Sequence, residues 1–402
     1  MENPTYTFPL DNESQSSSVP PLCPTAATLF FLPSVYTLLF LTCLPGNALS
    51  LWVFLRCISA ASPIHVYLSH LSVSNVLLSL TAPFLAAYYA RGSVWTQSGV
   101  PCQLVLHGVT PVLHINVYIS IMILTWLALS RFATLIQHTH ASRPSGCATL
   151  LPHGFFACLK RTSFARRVCA AVWVVAVGGV VPVTVYYSVN EAASDDSAAK
   201  GACGEVCYNP AVEIGGVRSA TVAVPVITLF FVFYLLVLLS HMTVLRHIRR
   251  SRRSTSVTTS QSLLGRVFRN IAVIQIVLSV CLLPYHIFKP IFIYLAHYQH
   301  QLKHSPGPNI CSHCHPLSTF VELKNCLLLL AALRASTDPL MYFLLDKTFR
   351  HQTLRLLRCK QNNPESRPMC SLTGSGNQKA AQLVDANVAN NTTAGVSQGS
   401  VL

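Results

Sequence analysis

Two lysines and a histidine at the ends of long apolar segments could together bind an anion. His286 and Lys289 are three positions apart, so they share one face of their segment if it is helical. Lys324 lies at the start of the next apolar segment. Two ammonium groups that face one cavity repel each other unless an anion lies between them, which favours a ligand with phosphate or carboxylate. The alternative is that both lysines extend to lipid headgroups, with Glu322 balancing Lys324.

An arginine and an aspartate lie inside the last apolar segment. Arg334 and Asp338 are four positions apart and therefore share one helix face. An arginine inside a membrane costs about 2.5 kcal/mol or more and usually faces a partner. We therefore expect an ion pair between Arg334 and Asp338.

Six of the fifteen cysteines lie in polar segments, where they could form disulfides or bind a metal ion. They are Cys23, Cys102, Cys203, Cys207, Cys311 and Cys314. An oxidising compartment favours disulfides, and six cysteines allow about fifteen connectivities. One candidate joins Cys23 to Cys311 or Cys314. A metal site of Cys311 and Cys314 with His315 and His304 is the weaker alternative, because disulfides are the commoner fate of such cysteines outside the cell.

The composition indicates a membrane protein rather than a soluble enzyme. Of 402 residues, 51% are hydrophobic and 10% are charged, and the mean hydropathy is +0.47. An average soluble domain has about a quarter of its residues charged. The sequence contains no Walker loop, no HExxH and no GxSxG pattern, so neither an enzyme nor a cofactor is predicted.

Seven segments are long and apolar enough to cross a membrane as helices. A transmembrane helix needs about 20 apolar residues, because each residue adds about 1.5 Å across a hydrocarbon core about 30 Å thick. The sequence therefore predicts an all-α membrane protein, with an N-terminal segment over 1–28 and a seven-transmembrane helix bundle over 29–345. The predicted spans are 29–55, 65–90, 104–136, 168–189, 218–245, 271–297 and 318–345.

Basic residues predict the orientation of the bundle in the plasma membrane. They concentrate in 137–167, in 246–270 and after 345, whereas residues 1–28 contain none. Because cytoplasmic loops carry the excess of Lys and Arg, we expect an extracellular N-terminus and a cytoplasmic tail. The net charge of +15 then reflects topology and contact with anionic membrane lipids, not nucleic acid. Asn12, in an Asn-Glu-Ser sequon, is a predicted glycosylation site.

The chain beyond the seventh span divides into a short helix and a tail. Residues 346–360 predict an amphipathic eighth helix on the membrane surface, because their apolar residues share one face beside arginines. Cys359 is a candidate for palmitoylation, with an exposed thiol as the alternative. We expect residues 361–402 to be disordered, and the final Ser-Val-Leu resembles a ligand of a PDZ domain.

Short motifs on successive spans resemble those of the rhodopsin-like G-protein-coupled receptors. The matching residues are GN at 46–47, Trp173 at the place of the family's single tryptophan in the fourth span, CLLPYH at 281–286 and DPLMY at 338–342. The resemblance covers about residues 29–360. The run PYHIFK at 284–289, with Asp-Pro rather than Asn-Pro in the last span, resembles the purinergic, or nucleotide-receptor, branch. Several longer runs resemble an orphan receptor of that branch.

The resemblance implies roles for residues near both ends of the spans. At the inner end these are Arg131 for contact with a heterotrimeric G protein, Pro284 as a hinge, and Asp338, Pro339 and Tyr342 as a switch. At the outer end, a small anionic ligand, nucleotide-like or lipid-like, would contact His114, Tyr118, His286, Lys289 and Lys324. The resemblance also implies a disulfide between Cys102 and Cys207, with Cys203 as the competing partner.

Two departures from the family pattern concern the inner half. Ser130 replaces the family's acidic neighbour of Arg131, so the arginine has one partner fewer at rest. Raised basal activity is the hypothesis, and other partners for Arg131 are the alternative. Asn75 replaces the aspartate that binds sodium in the family. We expect Asn75 to accept a hydrogen bond from Arg334, whose guanidinium would take the place of sodium, so sodium sensitivity should be absent.

Two further departures concern the hinge and the ligand site. Leu282 replaces the family's aromatic rotamer switch. Asn325 follows Lys324 where the branch often has a glutamate, so we expect less competition between a carboxylate of the chain and a ligand anion for Lys324. The departures keep a second interpretation open, in which a non-signalling seven-helix protein partners other receptors or scavenges a ligand. A channel or transporter is a third interpretation, but no inverted repeat or broken helix pair is evident.

Overall fold

The chain folds into a bundle of long helices. The computed structural model describes residues 22–58, 62–93, 108–140, 157–182, 185–186, 213–215, 217–254, 258–302 and 314–362, and within these ranges it has no strand. The longer α-helices are α1 (Leu32–Trp52), α2 (Pro63–Ala90), α3 (Thr110–His140), α4 (Thr162–Val175), α5 (Val217–Ser254), α6 (Thr258–Leu302), α7 (Ser318–Leu345) and α8 (Lys347–Asn362). Single π-helical turns flank α1, over Ala27–Phe31 and Val53–Cys57, and follow α4, over Ala176–Val180.

Six of the predicted spans are helices long and apolar enough to cross a membrane. They are Ala27–Cys57, Pro63–Ala90, Pro111–Ala133, Ala223–Arg246, Ile271–Gln299 and Ser318–Leu344. The fourth differs from the prediction of 168–189. Its α-helix begins earlier, at Thr162, and changes at Ala176 to the π-helical turn that contains Gly178 and Gly179. Glycine is a poor α-helix former, which explains why the regular helix ends before this pair.

Large apolar side chains lie on the outside of the bundle as well as in its core. Fully buried aromatic residues include Tyr36, Tyr67, Phe230 and Tyr285. Exposed aliphatic residues on α1, α5 and α6 include Leu38, Leu41, Leu235, Leu239, Ile276 and Val280. A surface helix of a soluble protein would place polar residues on that outer face. The outer faces therefore suit contact with lipid, in agreement with the predicted fold class.

Gly46 allows α1 to lie close against α7. A Cβ atom added to Gly46 would come within 3.1 Å of Cγ of Pro339, which is closer than ordinary van der Waals contact. The helices pack in a continuous order, with α1 against α2 and α7, α3 against α2 and α5, and α6 against α5 and α7. This packing brings residues of α2, α3, α6 and α7 to the interior, where the candidate sites lie.

A disulfide joins the N-terminal segment to the start of α7. Cys23 is bonded to Cys314, one of the two pairings that the sequence left open. Because the sulfur of Cys314 is in this bond, the alternative of a metal site that includes Cys314 is wrong. Cys102, Cys203, Cys207, Cys311 and His304 lie outside the described residues. We call this end of the bundle the disulfide end.

Glu322 adds hydrogen bonds to the same junction. The hydroxyls of Thr25 and Thr28 donate to Glu322 Oε1 over 2.5 and 2.7 Å, and the Thr28 amide donates to the same oxygen over 2.9 Å. Glu322 therefore binds the N-terminal segment. It is not the residue that balances Lys324, so that part of the alternative for the lysines is wrong.

The opposite end of the bundle holds the junction of α7 and α8, and we call it the α8 end. Phe349 packs against Phe54 and Tyr342, with ring centroids 5.1 and 5.9 Å apart. The helix α8 covers the predicted segment 346–360 to within two residues at either end and includes Cys359. Residues up to Arg350 belong to one compact unit, and those from His351 belong to a second. Asn12 and the tail beyond 362 lie outside the described residues.

Candidate functional site

A buried ion pair links α7 to α2. Arg334 Nη1 donates to Asp338 Oδ2 over 2.5 Å, and Arg334 Nη2 donates to Asn75 Oδ1 over 3.1 Å. Asn75 Nδ2 donates in turn to Asp338 Oδ2 over 2.8 Å. The side chain of Arg334 is almost completely buried. The three residues of the predicted polar core therefore lie together and form a closed hydrogen-bonded triangle.

Asn47 extends the polar core to α1, a contact that the sequence analysis missed. Its Oδ1 accepts from Asn75 Nδ2 over 3.0 Å, and its Nδ2 donates to the carbonyl oxygens of Cys43 and Ala335 over 2.9 and 3.0 Å. A buried ion pair is stable only when its remaining hydrogen-bonding groups are satisfied. A single amide inside an apolar span was the available signal, because such residues usually face the bundle interior.

A cavity of about 280 Å³ opens from the polar core towards the α8 end. Arg334 and Asp338 lie at its inner limit, and its wall further includes Arg131, Tyr342 and Asp346. Residues of α2, α3, α5, α6 and α7 all contribute to the lining. The cavity therefore connects the predicted switch residues with the predicted contact for a G protein.

Arg131 lines this cavity without an acidic partner within 4.0 Å among the described residues. The neighbouring Ser130, which stands at the family's acidic position, donates from its hydroxyl to the carbonyl oxygen of Leu159 over 3.2 Å. In the family, the residue at this position is the acidic partner of the arginine at rest. In this chain Ser130 takes that position and binds the segment before α4 instead.

Asp346 supplies negative charge at the rim of the cavity. Its Oδ1 accepts from the Phe349 amide over 3.0 Å, and its Oδ2 lies 3.3 Å from Nε2 of His65. Burial by itself raises the pKa of the Asp346 carboxyl. The hydrogen bonds from His65 and Phe349 lower the pKa by more than burial raises it, so the net change is downward. The group therefore remains a carboxylate at neutral pH.

Lys324 is paired with Glu213, an acid that the sequence analysis did not connect with it. Lys324 Nζ lies 3.0 Å from Glu213 Oε2 and also donates to the backbone carbonyl of Glu213. Tyr88 donates to Glu213 Oε1 over 2.9 Å, and Asn325 Nδ2 donates to Oε2 over 3.4 Å. The expectation that Asn325 leaves Lys324 with less competition is therefore wrong, because Glu213 supplies the competing carboxylate.

The environment keeps Glu213 ionised. Its side chain is 6% exposed, and this burial by itself would raise the pKa of the carboxyl. The charge of Lys324 and the hydrogen bonds from Lys324, Tyr88 and Asn325 lower the pKa more, so that the net change is downward. Glu213 and Lys324 therefore form a buried, hydrogen-bonded ion pair at neutral pH.

The other predicted ligand residues surround Tyr285 on α6. His286 stacks on Phe230 with ring centroids 3.4 Å apart and meets the Tyr118 ring edge-on at 5.6 Å. The Nδ1 group of His286 donates to the carbonyl oxygen of Leu282 over 2.8 Å. His286 Nε2 and the Tyr118 hydroxyl are buried without a hydrogen-bond partner among the described residues. They are thus available to a ligand or to water.

Lys289 of α6 and Lys324 of α7 both lie close to aromatic rings of α6. Lys289 Nζ lies 5.3 Å from the centroid of the Tyr285 ring, and the ring of His114 lies 6.5 Å from that ring. Lys324 Nζ, from α7, lies 5.2 Å from the centroid of the Phe292 ring. Lys289 has no acidic partner within 4.0 Å in the described part of the chain. The structure thus brings four predicted ligand residues around Tyr285 and holds the fifth, Lys324, on Glu213.

The predicted hinge lies in α6 and is accompanied by a polar contact with α5. Pro284 and Pro290 lie inside α6, and Pro339 lies inside α7. Between α5 and α6, Nδ1 of His241 lies 2.9 Å from Oε1 of Gln275. Sequence reasoning missed this pair, because nothing in the period of either helix shows which residues face each other.

The comparisons with known proteins agree with this geometry. A family model described as 7 transmembrane receptor (rhodopsin family) matches residues 46–342. The chain therefore belongs to the rhodopsin family of seven-transmembrane receptors, which are multi-pass plasma-membrane proteins that signal rather than catalyse.

Two relatives narrow the placement within the family. The chain is 36% identical over 341 residues to Probable G-protein coupled receptor 82 of Homo sapiens. The aligned region covers 85% of this chain and 95% of that receptor. It is 24% identical over 326 residues to the uracil nucleotide/cysteinyl leukotriene receptor of Rattus norvegicus, which covers 81% of this chain and 82% of that receptor. Both similarities confirm the resemblance to the purinergic branch.

Proposed function

We propose that this receptor binds a small extracellular anion at the disulfide end and passes the signal to a heterotrimeric G protein at the α8 end. The observation that carries the proposal is the ammonium group of Lys289, which has no carboxylate within 4.0 Å in the part of the chain that the structure describes. It lies beside Tyr285, next to the buried and unpartnered polar atoms of Tyr118 and His286.

The physical case for an anion rests on unmet interactions. A buried polar group without a partner costs about 1–3 kcal/mol, so a ligand that hydrogen-bonds to Tyr118 and His286 recovers that free energy. The ammonium of Lys289 attracts a negatively charged group, and such charge-assisted hydrogen bonds are stronger than neutral ones. Phosphate is the common chemistry of nucleotides and lysophospholipids. The rat relative is named as a receptor for uracil nucleotides and cysteinyl leukotrienes, and the nucleotide part of that name supports the same class.

The proposed orientation places the disulfide end outside the cell and the cavity with Arg131 towards the cytoplasm. The cytoplasmic end of α5, with Arg246, Arg249 and Arg250, would then lie near anionic lipids and the G protein. The short α8 would lie on the membrane surface, with Cys359 as its palmitoylation site. A PDZ partner for the final three residues remains a prediction from the sequence.

We expect Lys289→Ala to reduce the potency of a phosphate-bearing agonist by roughly tenfold to a hundredfold, because one charge-assisted hydrogen bond is lost. The measurement is G-protein activation in cells, with uridine diphosphate and lysophosphatidate as probes, at matched surface expression. Lys289→Arg retains the charge and should retain most of the potency. Lys160→Ala, at the opposite end of the bundle, is the matched control.

The same panel separates the two candidate functions. If a probe activates wild type and Lys289→Ala responds equally well, the proposed anion site is wrong. Binding of a probe that depends on Lys289 but produces no G-protein activation would favour the non-signalling protein that scavenges ligand or partners other receptors. The replacements at Ser130, Asn75 and Leu282 are what favour this second candidate.

A further inference from the structure

We propose that Glu213 is a built-in competitor for the anion site of Lys324, so that only a ligand with a phosphate group displaces it efficiently. The proposal rests on the proposed function, because it assumes that an extracellular anion approaches the two lysines. It adds a residue that determines which anions are admitted. The observation behind it is that the chain's own carboxylate already holds the place of a ligand anion on Lys324.

The contacts of Glu213 are those that a bound anion would have. Its two carboxylate oxygens accept hydrogen bonds from three side chains, Tyr88 of α2 and Lys324 and Asn325 of α7. The group is shielded from solvent, with only 7% of its surface exposed. Glu213 comes from the short segment 213–215 before α5, not from a helix that spans the membrane.

The backbone around Glu213 is shaped to deliver this carboxylate to α7. Gly215 adopts a φ of 80°, a conformation that residues with a side chain rarely adopt, and it turns the chain between Glu213 and α5. Lys324 also donates to the backbone carbonyl of Glu213, which holds the segment itself as well as the side chain. The contact can nevertheless be exchanged, because it consists of hydrogen bonds that another anion is able to accept.

The number of donors explains why phosphate would be favoured over a simple carboxylate. When Glu213 leaves, Tyr88, Lys324 and Asn325 each lose a partner, and buried donors without a partner are costly. A carboxylate ligand would merely repeat the two oxygens and single charge of Glu213. A phosphate monoester has three terminal oxygens and up to two negative charges, so it satisfies the three donors and also attracts Lys289, which has no carboxylate within 4.0 Å among the described residues.

The test uses pyridoxal 5′-phosphate as a phosphate-bearing probe on the purified full-length receptor. Its aldehyde condenses with a lysine amine to an imine with release of water, and borohydride then reduces the imine to a stable amine. Peptide mass spectrometry measures the labelling of Lys324 and Lys289 separately. Pyridoxal, which lacks the phosphate, is applied in parallel. For each lysine, the yield with pyridoxal 5′-phosphate is divided by the yield with pyridoxal. This ratio removes the effect of amine reactivity, because both probes react with the same amine.

We expect Glu213→Gln to raise this ratio at Lys324 by about tenfold or more, because the competing charge is gone. Tyr88→Phe removes a donor that Glu213 and a phosphate would both use, so it should change the ratio much less than Glu213→Gln does. The matched control is Glu322→Gln. Glu322 lies two positions from Lys324 but binds Thr25 and Thr28, so this variant should leave the ratio unchanged. Thermal unfolding of each variant shows that it is folded.

Labelling of Lys289 distinguishes failure of this inference from failure of the proposed function. If Lys289 of wild type prefers the phosphate probe but the ratio at Lys324 is equal in wild type and Glu213→Gln, the competitor role is wrong and the anion site stands. If neither lysine prefers the phosphate probe in any folded variant, both proposals are wrong.

Discussion

Replacing Arg334 with methionine is expected to lower the free energy of unfolding by about 3–5 kcal/mol, because it leaves a buried charge without its partner. Asp338 would retain one donor, Asn75, in a site where both residues are buried. Removing both charges together, in Arg334→Met with Asp338→Asn, should recover most of the loss, because no uncompensated ion then remains. Unfolding of the purified receptor in detergent, followed by tryptophan fluorescence, measures the change.

The double-variant cycle provides the control for this expectation. Two residues that act as a pair show strongly non-additive effects, whereas independent residues show additive ones. Equal and additive losses in the two single variants would therefore contradict the ion pair as a stabilising unit. Arg350→Met, an exposed arginine of α8, should change the free energy of unfolding by no more than about 0.5 kcal/mol.

The same arrangement predicts that sodium does not regulate this receptor. The guanidinium of Arg334 already contacts Asp338 and Asn75, which are the groups that would face a sodium ion if the family's site were present. Two positive charges do not share that space without strong repulsion. Receptor activation and thermal stability should be unchanged when sodium chloride replaces choline chloride at constant ionic strength. Strong inhibition of activation by sodium would contradict the prediction.

Wild-type receptor is expected to activate G protein without a ligand, and Arg131→Ala is expected to reduce the signal to the level of empty cells. Arg131 lines the cavity and has no carboxylate within 4.0 Å among the described residues, while Ser130 bonds to Leu159. An arginine that is not held in a close ion pair is available to a G protein at lower cost. The measurement is ligand-free nucleotide exchange at matched surface expression.

Restoring the acidic neighbour tests the physical reason behind this activity. In Ser130→Asp, the new carboxylate would be buried beside Arg131 and should pair with it, which lowers the ligand-free signal. Arg166→Ala changes an exposed arginine of α4 and should leave the signal unchanged. If wild type gives no signal above empty cells, the hypothesis of raised basal activity is wrong. The ligand panel would then decide between a silent receptor and the non-signalling protein.

Features that depend on local spacing could be predicted from the amino-acid sequence. A membrane span is recognised from about 20 consecutive apolar residues, so six spans were predictable. The ends of five of them differ from the prediction by at most five residues, whereas the third begins at Pro111 rather than at 104. Arg334 and Asp338 are one helical turn apart, and their pairing follows from helix geometry alone. The amphipathic pattern of α8 is likewise local. The family follows from short motifs within spans.

Contacts between residues that are far apart in the sequence could not be predicted and are known from the three-dimensional structure. Glu213 and Lys324 are separated by 111 positions, and four other acids in the same loop region were equally plausible partners from sequence. The sequence likewise did not show that Cys23 bonds to Cys314 rather than to Cys311. It also did not show that Asn47 contacts Asn75. Helix periodicity shows which face a residue occupies. It does not show how helices pack or where a loop returns, because both depend on the whole bundle.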